Sequence, residues 1–138
     1  MGTDISEELR QFVAERAGHR CEYCLLHEDD SYSPHQIDHI IGRKHRGLST
    51  LENLAYACLR CNAWKGSDIG SVDPETGQLV SLFNPRQQEW PQHFRLHGLV
   101  IEPLTAEGRA TARLLRLNID KRVMERRALM LVGRYPRE

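Results

Sequence analysis

The stretch Asp38 to Lys65, DHIIGRKHRGLSTLENLAYACLRCNAWK, decides how the rest of the chain is read. It sets a carboxylate beside an imidazole at Asp38-His39, then two asparagines, Asn53 and Asn62, the second directly after the pair Cys58/Cys61. A matching pair, Cys21-Glu22-Tyr23-Cys24, lies just upstream, and these are the only cysteines of the chain. Two Cys-x-x-Cys knuckles supply the four thiolates of a tetrahedral zinc site. The segment between them is about twice as long as in common zinc ribbons, so the metal closes a substantial loop and holds what lies inside it. Two disulfides or a thioredoxin-like redox pair compete with this reading. Neither an export signal nor a βαβ pattern accompanies the cysteines, which leaves structural Zn²⁺ as the expectation.

Asp38-His39, Asn53 and Asn62, framed by the two knuckles, resemble the HNH endonuclease family with its ββα-metal core. The variant would be HNN, because Asn62 stands where many members carry a third histidine. The likeness covers about Arg20 to Ser67; outside it, only an upstream helix and a helical tail agree. It implies His39 as general base, Asp38 and Asn62 as ligands of a catalytic Mg²⁺ or Mn²⁺, and Asn53 as the residue that steadies the loop and the His39 ring. The side chains suit those tasks on their own chemistry. Phosphodiester hydrolysis needs a base for water and a cation for the phosphate. An imidazole titrates near neutrality, and carboxylate and carboxamide oxygens are hard ligands for Mg²⁺ or Mn²⁺.

One geometric difficulty stands in the way. Adjacent residues of a strand face opposite sides, so Asp38 and His39 serve one centre only if the strand ends or twists sharply there. Gly42 and the polar run Arg43 to Gly47 support an ending. Leu54 to Ala57 then reads as a short apolar strand, Cys58 to Cys61 as the knuckle after it, and Asn62 onward as a helix start. Singly, each residue has a plainer reading, Asn53 as a turn residue and Asn62 as an N-cap. Arg43, Lys44, His45, Arg46 and Lys65 are expected to contact DNA phosphates beside the scissile bond; a charged surface loop is their alternative.

Charge is distributed to match. The 138 residues carry no net charge, yet residues 39–66 and 104–138 hold net +4 and +5 against −6 and −3 in 1–38 and 67–103. Basic charge in the motif and tail is the footprint of phosphate binding. No run approaches the roughly 20 apolar residues of a membrane span, and a soluble, cytoplasmic protein is expected.

Residues 4 to 17 predict a helix with Leu9, Phe12, Val13 and Arg16 or Ala17 on one face, acidic Glu7 and Glu8 in the first turn, and Gly18 as its stop. Leu25 to Pro34 reads as a solvated acidic loop, and His35 as a surface imidazole. Asp73 to Gly77 signals a turn, Gln78 to Phe83 a strand and Gly98 to Ile101 another, together a small antiparallel hairpin or sheet with Trp90 and Phe94 in the core. Thr105 caps a helix bearing Arg109, Arg113 and Arg116 on one face. Asn118 to Asp120 breaks it, and Asp120 caps another running to about Val132. There Val123, Met124 and Leu131 are expected inside and Arg122 and Arg126 outside, with a dimer seam along the apolar stripe as the alternative.

The expected whole is one α+β domain over residues 1–138: a zinc-stapled ββα-metal core at 20–67, an N-terminal helix, and a strand and helix extension over 68–138. The expected activity is metal-dependent hydrolysis of duplex DNA by a monomer that nicks one strand per site. By analogy with the family it leaves 5′-phosphate and 3′-hydroxyl ends. The alternatives are a zinc-stabilised nucleic-acid-binding module without catalysis and an RNase of the same fold.

Overall fold

The structure, a computed structural model, describes residues 5–137. Helix α1 spans Glu7–Arg16; Ser6 caps it by accepting from Leu9 N at 3.1 Å. Position 4, where the sequence starts this helix, lies outside the described residues. Gly18, at φ +65°, releases the chain after Ala17. Val13 and Ala14 are buried against Leu54 and Tyr56, with Leu9 beside them. Phe12 is not; it stays half exposed beneath the Arg16 guanidinium. Arg16 also donates to Leu51 O and Leu54 O, at 2.9 and 2.6 Å, tying α1 to the motif.

Strands β1 (Gln36–His39) and β2 (Leu54–Ala57) pair antiparallel, with His39 opposite Leu54, and β2 is buried along its whole length. Helix α2 (Leu59–Lys65) follows, so the order strand, strand, helix of the expected core is present. The helix begins earlier than Asn62: Cys58 is its N-cap, which places Asn62 a turn inside.

Beyond α2 lie two hairpins rather than one. Strand β3 (Gly70–Val72) pairs with β4 (Leu79–Ser81) across the 73–77 turn, and β5 (Phe94–His97) with β6 (Val100–Pro103). The runs 78–83 and 98–101, expected to pair, do not, because each finds its partner across its own nearest turn. Asp73, fully buried, fixes the first turn by accepting from Glu75 N and Thr76 Oγ1, and is clamped by Arg109 at 2.8 Å.

Helices α3 (Trp90–His93), α4 (Ala106–Leu114) and α5 (Asp120–Leu131) complete an α+β architecture. Thr105 caps α4 through Gly108 N at 3.0 Å. Phe83, Phe94, Ile101, Leu115 and Leu117 join the four cysteines in the main core, with Trp90 packed against them. The Trp90 indole donates to Tyr23 O at 2.9 Å, so both aromatics are packing residues. Asn118 does break the helical tail, exchanging bonds of 2.9 and 2.8 Å with the Ile101 backbone, but Ile119 rather than Asp120 takes the cap position of α5.

Candidate active site

The centre of the core is four sulfurs. Tyr23 N and Cys24 N each donate to Cys21 Sγ at 3.4 Å, and Cys61 N to Cys58 Sγ at 3.5 Å, so tight turns aim backbone dipoles at two of them. Cys21, Cys24, Cys58 and Cys61 are unbridged and buried, with all Sγ atoms within 4.8 Å of one another and Cys24 and Cys58 at 3.7 Å. A tetrahedron with Zn–S bonds of about 2.3 Å has edges of about 3.8 Å. The four sulfurs fit zinc with a small closing movement. Burial pushes the Cys21 and Cys61 thiols well up, whereas hydrogen bonding from the other three sulfurs holds Cys24 well below the usual thiol range. Thiols crowded into one buried space do not ionise together without a cation among them.

Helix α5 meets this cluster with its charged face, the reverse of the expected orientation. Arg122 and Arg126 are buried, while Leu131 is 74% and Met124 55% exposed. Arg122 Nη2 donates to Cys61 Sγ at 3.3 Å and lies 3.7 Å from Cys58 Sγ. Arg126 donates to Leu99 O and Asn118 Oδ1 at 2.7 and 2.9 Å. Sulfur acceptors and free carbonyls inside the molecule outweigh the usual preference of arginine for water.

His39 ends β1, and its Nε2 lies 2.9 Å from Ser49 Oγ. Burial holds its imidazole below the ordinary range; Arg43 and Lys65 act in the same direction, and Asp38 opposes them. The excursion from Ile40 to Asn53 carries a 3-10 turn at Arg43–His45 and a left-handed Arg46. Asn53 clamps it: Oδ1 accepts from Ile41 N at 2.9 Å, and Nδ2 donates to Ile41 O and Leu48 O at 3.0 and 2.8 Å. Asn53 therefore holds the loop, while the imidazole bonds to Ser49, a residue the sequence did not single out. Gly47 is forced by close approach, since a Cβ there would lie 1.6 Å from Ile41 O.

Asp38 takes the opposite face of β1, as strand alternation demands. It is 2% exposed; Tyr23 OH donates to Oδ2 at 2.7 Å, and Lys65 Nζ lies 3.3 Å from Oδ1. Lys65, 1% exposed, also donates to His39 O and Ile40 O at 3.3 and 3.1 Å. Two expectations change. Lys65 is not a surface phosphate contact, because its ammonium is spent on three oxygens inside the core. Asp38 and Asn62 do not fit a divalent ion as a pair in this arrangement, because an ammonium already occupies the Asp38 carboxylate and like charges repel.

Asn62 is half buried on α2, and its carboxamide makes no side-chain hydrogen bond among the described residues. Arg43, Lys44, His45 and Arg46 are all exposed on the loop that leaves His39. His35, by contrast, is 3% exposed, donates to Leu26 O at 2.8 Å and lies against the Tyr56 ring. Arg109 is committed to Asp73, and Arg116 lies over the Trp64 ring at 5.0 Å. The sequence gives Tyr23 no role, although it sits between two cysteines, where the chain must turn inward, and it places Arg122 on the outer face of α5, where the structure buries it.

A two-stranded hairpin and a helix around a four-sulfur centre, with an imidazole at the hairpin's end beside an exposed basic loop, define the ββα class of metal-stapled cores. Residues 21–68 match the model of the HNH endonuclease family, a likeness that suggests nuclease activity. No curated protein and no solved structure matches the chain. Among the described residues, no helix is long and apolar enough to cross a membrane.

Proposed function

We propose that the protein is a DNA endonuclease that hydrolyses phosphodiester bonds, one strand per site, with His39 as general base. The observation that carries this is the placing of His39: a strand-terminal imidazole, favoured neutral and bonded through Nε2 to Ser49, at the root of a loop that exposes Arg43, Lys44, His45 and Arg46. A neutral ring whose Nε2–H donates to Ser49 carries its lone pair on Nδ1, ready to take a proton from water. The basic loop holds the phosphates on either side of the cut, and Asn53 keeps its backbone in register with the base. Residues 68–138 extend the core as part of the same domain.

Mg²⁺ or Mn²⁺, as the resemblance implies, would neutralise charge on the phosphate. Of the two expected ligands, Asn62 has a side-chain oxygen open to such an ion, whereas Asp38 is withheld by Lys65. That sealed carboxylate favours a second reading, a zinc-stabilised nucleic-acid-binding module that does not cut.

Nicking of supercoiled plasmid by wild type and His39→Ala, each with EDTA, Mg²⁺ or Mn²⁺, separates the two. Nicking by wild type alone, and only with added metal, is expected. Binding by both proteins with cleavage by neither, in any metal, overturns the nuclease reading. Cleavage of RNA in place of duplex DNA would replace its substrate.

A further inference from the structure

Residues 120–137 touch both cysteine knuckles through polar groups. Arg122 reaches the sulfurs of Cys58 and Cys61. Tyr135 OH donates to Cys24 O at 2.6 Å, Arg134 pairs with Asp30 at 2.6 Å, and Glu125 holds Arg60 through two bonds of 2.6 and 2.8 Å. A guanidinium that is 4% exposed is strongly disfavoured unless anions or several acceptors surround it. Beyond the sulfurs, Arg122 has among the described residues one hydrogen-bond acceptor, Leu115 O at 2.9 Å, and the face of the Trp64 ring at 5.7 Å. Four thiolates outweigh the charge of one divalent ion, so the loaded centre is itself an anion. A cavity of about 330 Å³, lined by Cys24, Cys58, Arg122 and Arg126, opens beside it, so packing does not wholly enclose that side of the centre.

We propose that Arg122 is the counter-charge of the zinc centre, and that zinc retention and the docking of residues 120–137 are therefore one coupled equilibrium. The inference does not depend on catalysis. Coupling of this kind is reciprocal: whatever helix α5 adds to zinc affinity, zinc adds to the docking of α5. Residues that hydrogen-bond to metal ligands are commonly worth 10- to 100-fold in metal affinity, and about that range is expected here.

The test uses the 138-residue chain as wild type, Arg122→Met, Arg122→Lys and Glu125→Gln. Zinc release to a chromophoric chelator is followed, together with the sulfur-to-metal charge-transfer band of the cobalt-substituted proteins. Removing a positive charge from thiolates raises their donor orbitals, so the band of Arg122→Met moves to longer wavelength and its zinc leaves roughly 10- to 100-fold faster. Arg122→Lys lies between it and wild type. Glu125→Gln, which loosens the helix without touching sulfur, leaves the band unmoved. Wild-type release and an unshifted band in Arg122→Met overturn the proposal. So does an equal band shift in Glu125→Gln, which would assign the shift to packing; faster zinc release without a band shift in that variant is what the coupling itself predicts. Should Arg122→Met fail to fold, Arg122→Gln, which keeps a donor without the charge, takes its place beside Arg122→Lys: zinc held nearly as in wild type by the lysine variant and released faster with a long-wavelength band by the glutamine variant supports the charge, while equal release and equal bands in the two, or failure of both to fold, overturns it.

Discussion

Three residues of the loop that follows β1 set what His39 can do. Ser49 fixes the ring through Nε2, and Ser49→Ala removes one hydrogen bond of about 1 kcal/mol. If His39 is the base, the rate should fall about fivefold while zinc content, measured on the same samples, stays at the wild-type level. Gly47→Ala meets the Ile41 carbonyl and the Asn53 amide. The backbone must move, at a cost of about 3 kcal/mol, and urea unfolding should show the loss along with failed cleavage. The pH profile follows from the His39 shift. Because the folded ring titrates below its ordinary 6.5, it is already neutral there, and the acidic limb of the rate should break at lower pH. Arg43→Gln removes one of the groups that lower it, so the limb moves back up; a limb unmoved by that change would mean the rate follows another group. The place of His39 at the end of the motif's first strand and that of Asn53 in the loop were legible from residue order. Ser49 was not, because a serine ten residues away becomes a neighbour only once the loop has folded back.

At the scale of elements, the Asp38–Lys65 pair joins β1 to α2. Lys65→Met leaves a buried carboxylate unpaired, a change worth about 3–5 kcal/mol. Adding Asp38→Asn should recover much of that, since the unpaired charge is then gone. Chemical denaturation of the two single variants and the double variant measures the coupling, and additive losses would mean that the pair does not interact. Strand alternation foretold that Asp38 and His39 face apart. It could not tell which would be covered; Tyr23 and Lys65, one on the first knuckle and one on α2, decide that. The faces of α5 were misread for a related reason. Helical periodicity separates arginine from leucine but not inside from outside, and here the interior is lined by sulfur and free carbonyls. His35 was misread as well, its imidazole finding a carbonyl and a tyrosine ring in place of water.

For the whole molecule, the four cysteines belong to the main core rather than to an appendage. Metal removal should therefore lower the stability of much of the fold, by several kcal/mol at least, given that structural zinc contributes about 10–16 kcal/mol in small domains. Calorimetry with and without a chelator, and on Cys58→Ser, should show both the loss and its recovery when zinc is returned to the wild type. The knuckles and the order strand, strand, helix were plain in the sequence, because metal spacing and apolar runs are local signals. The partners of the later strands were not, because four short runs admit several pairings until turn geometry selects one.

Among the described residues each of the three sheets has two strands, so each strand keeps one edge without a partner strand there. Three or four residues per strand is short enough to discourage another chain from adding there. That protection depends on the strands keeping their present lengths. An insertion that lengthened β3 and β4, where Val72 and Leu79 already face solvent, would offer a longer open edge, and light scattering on warming should show such a variant precipitating before the parent protein.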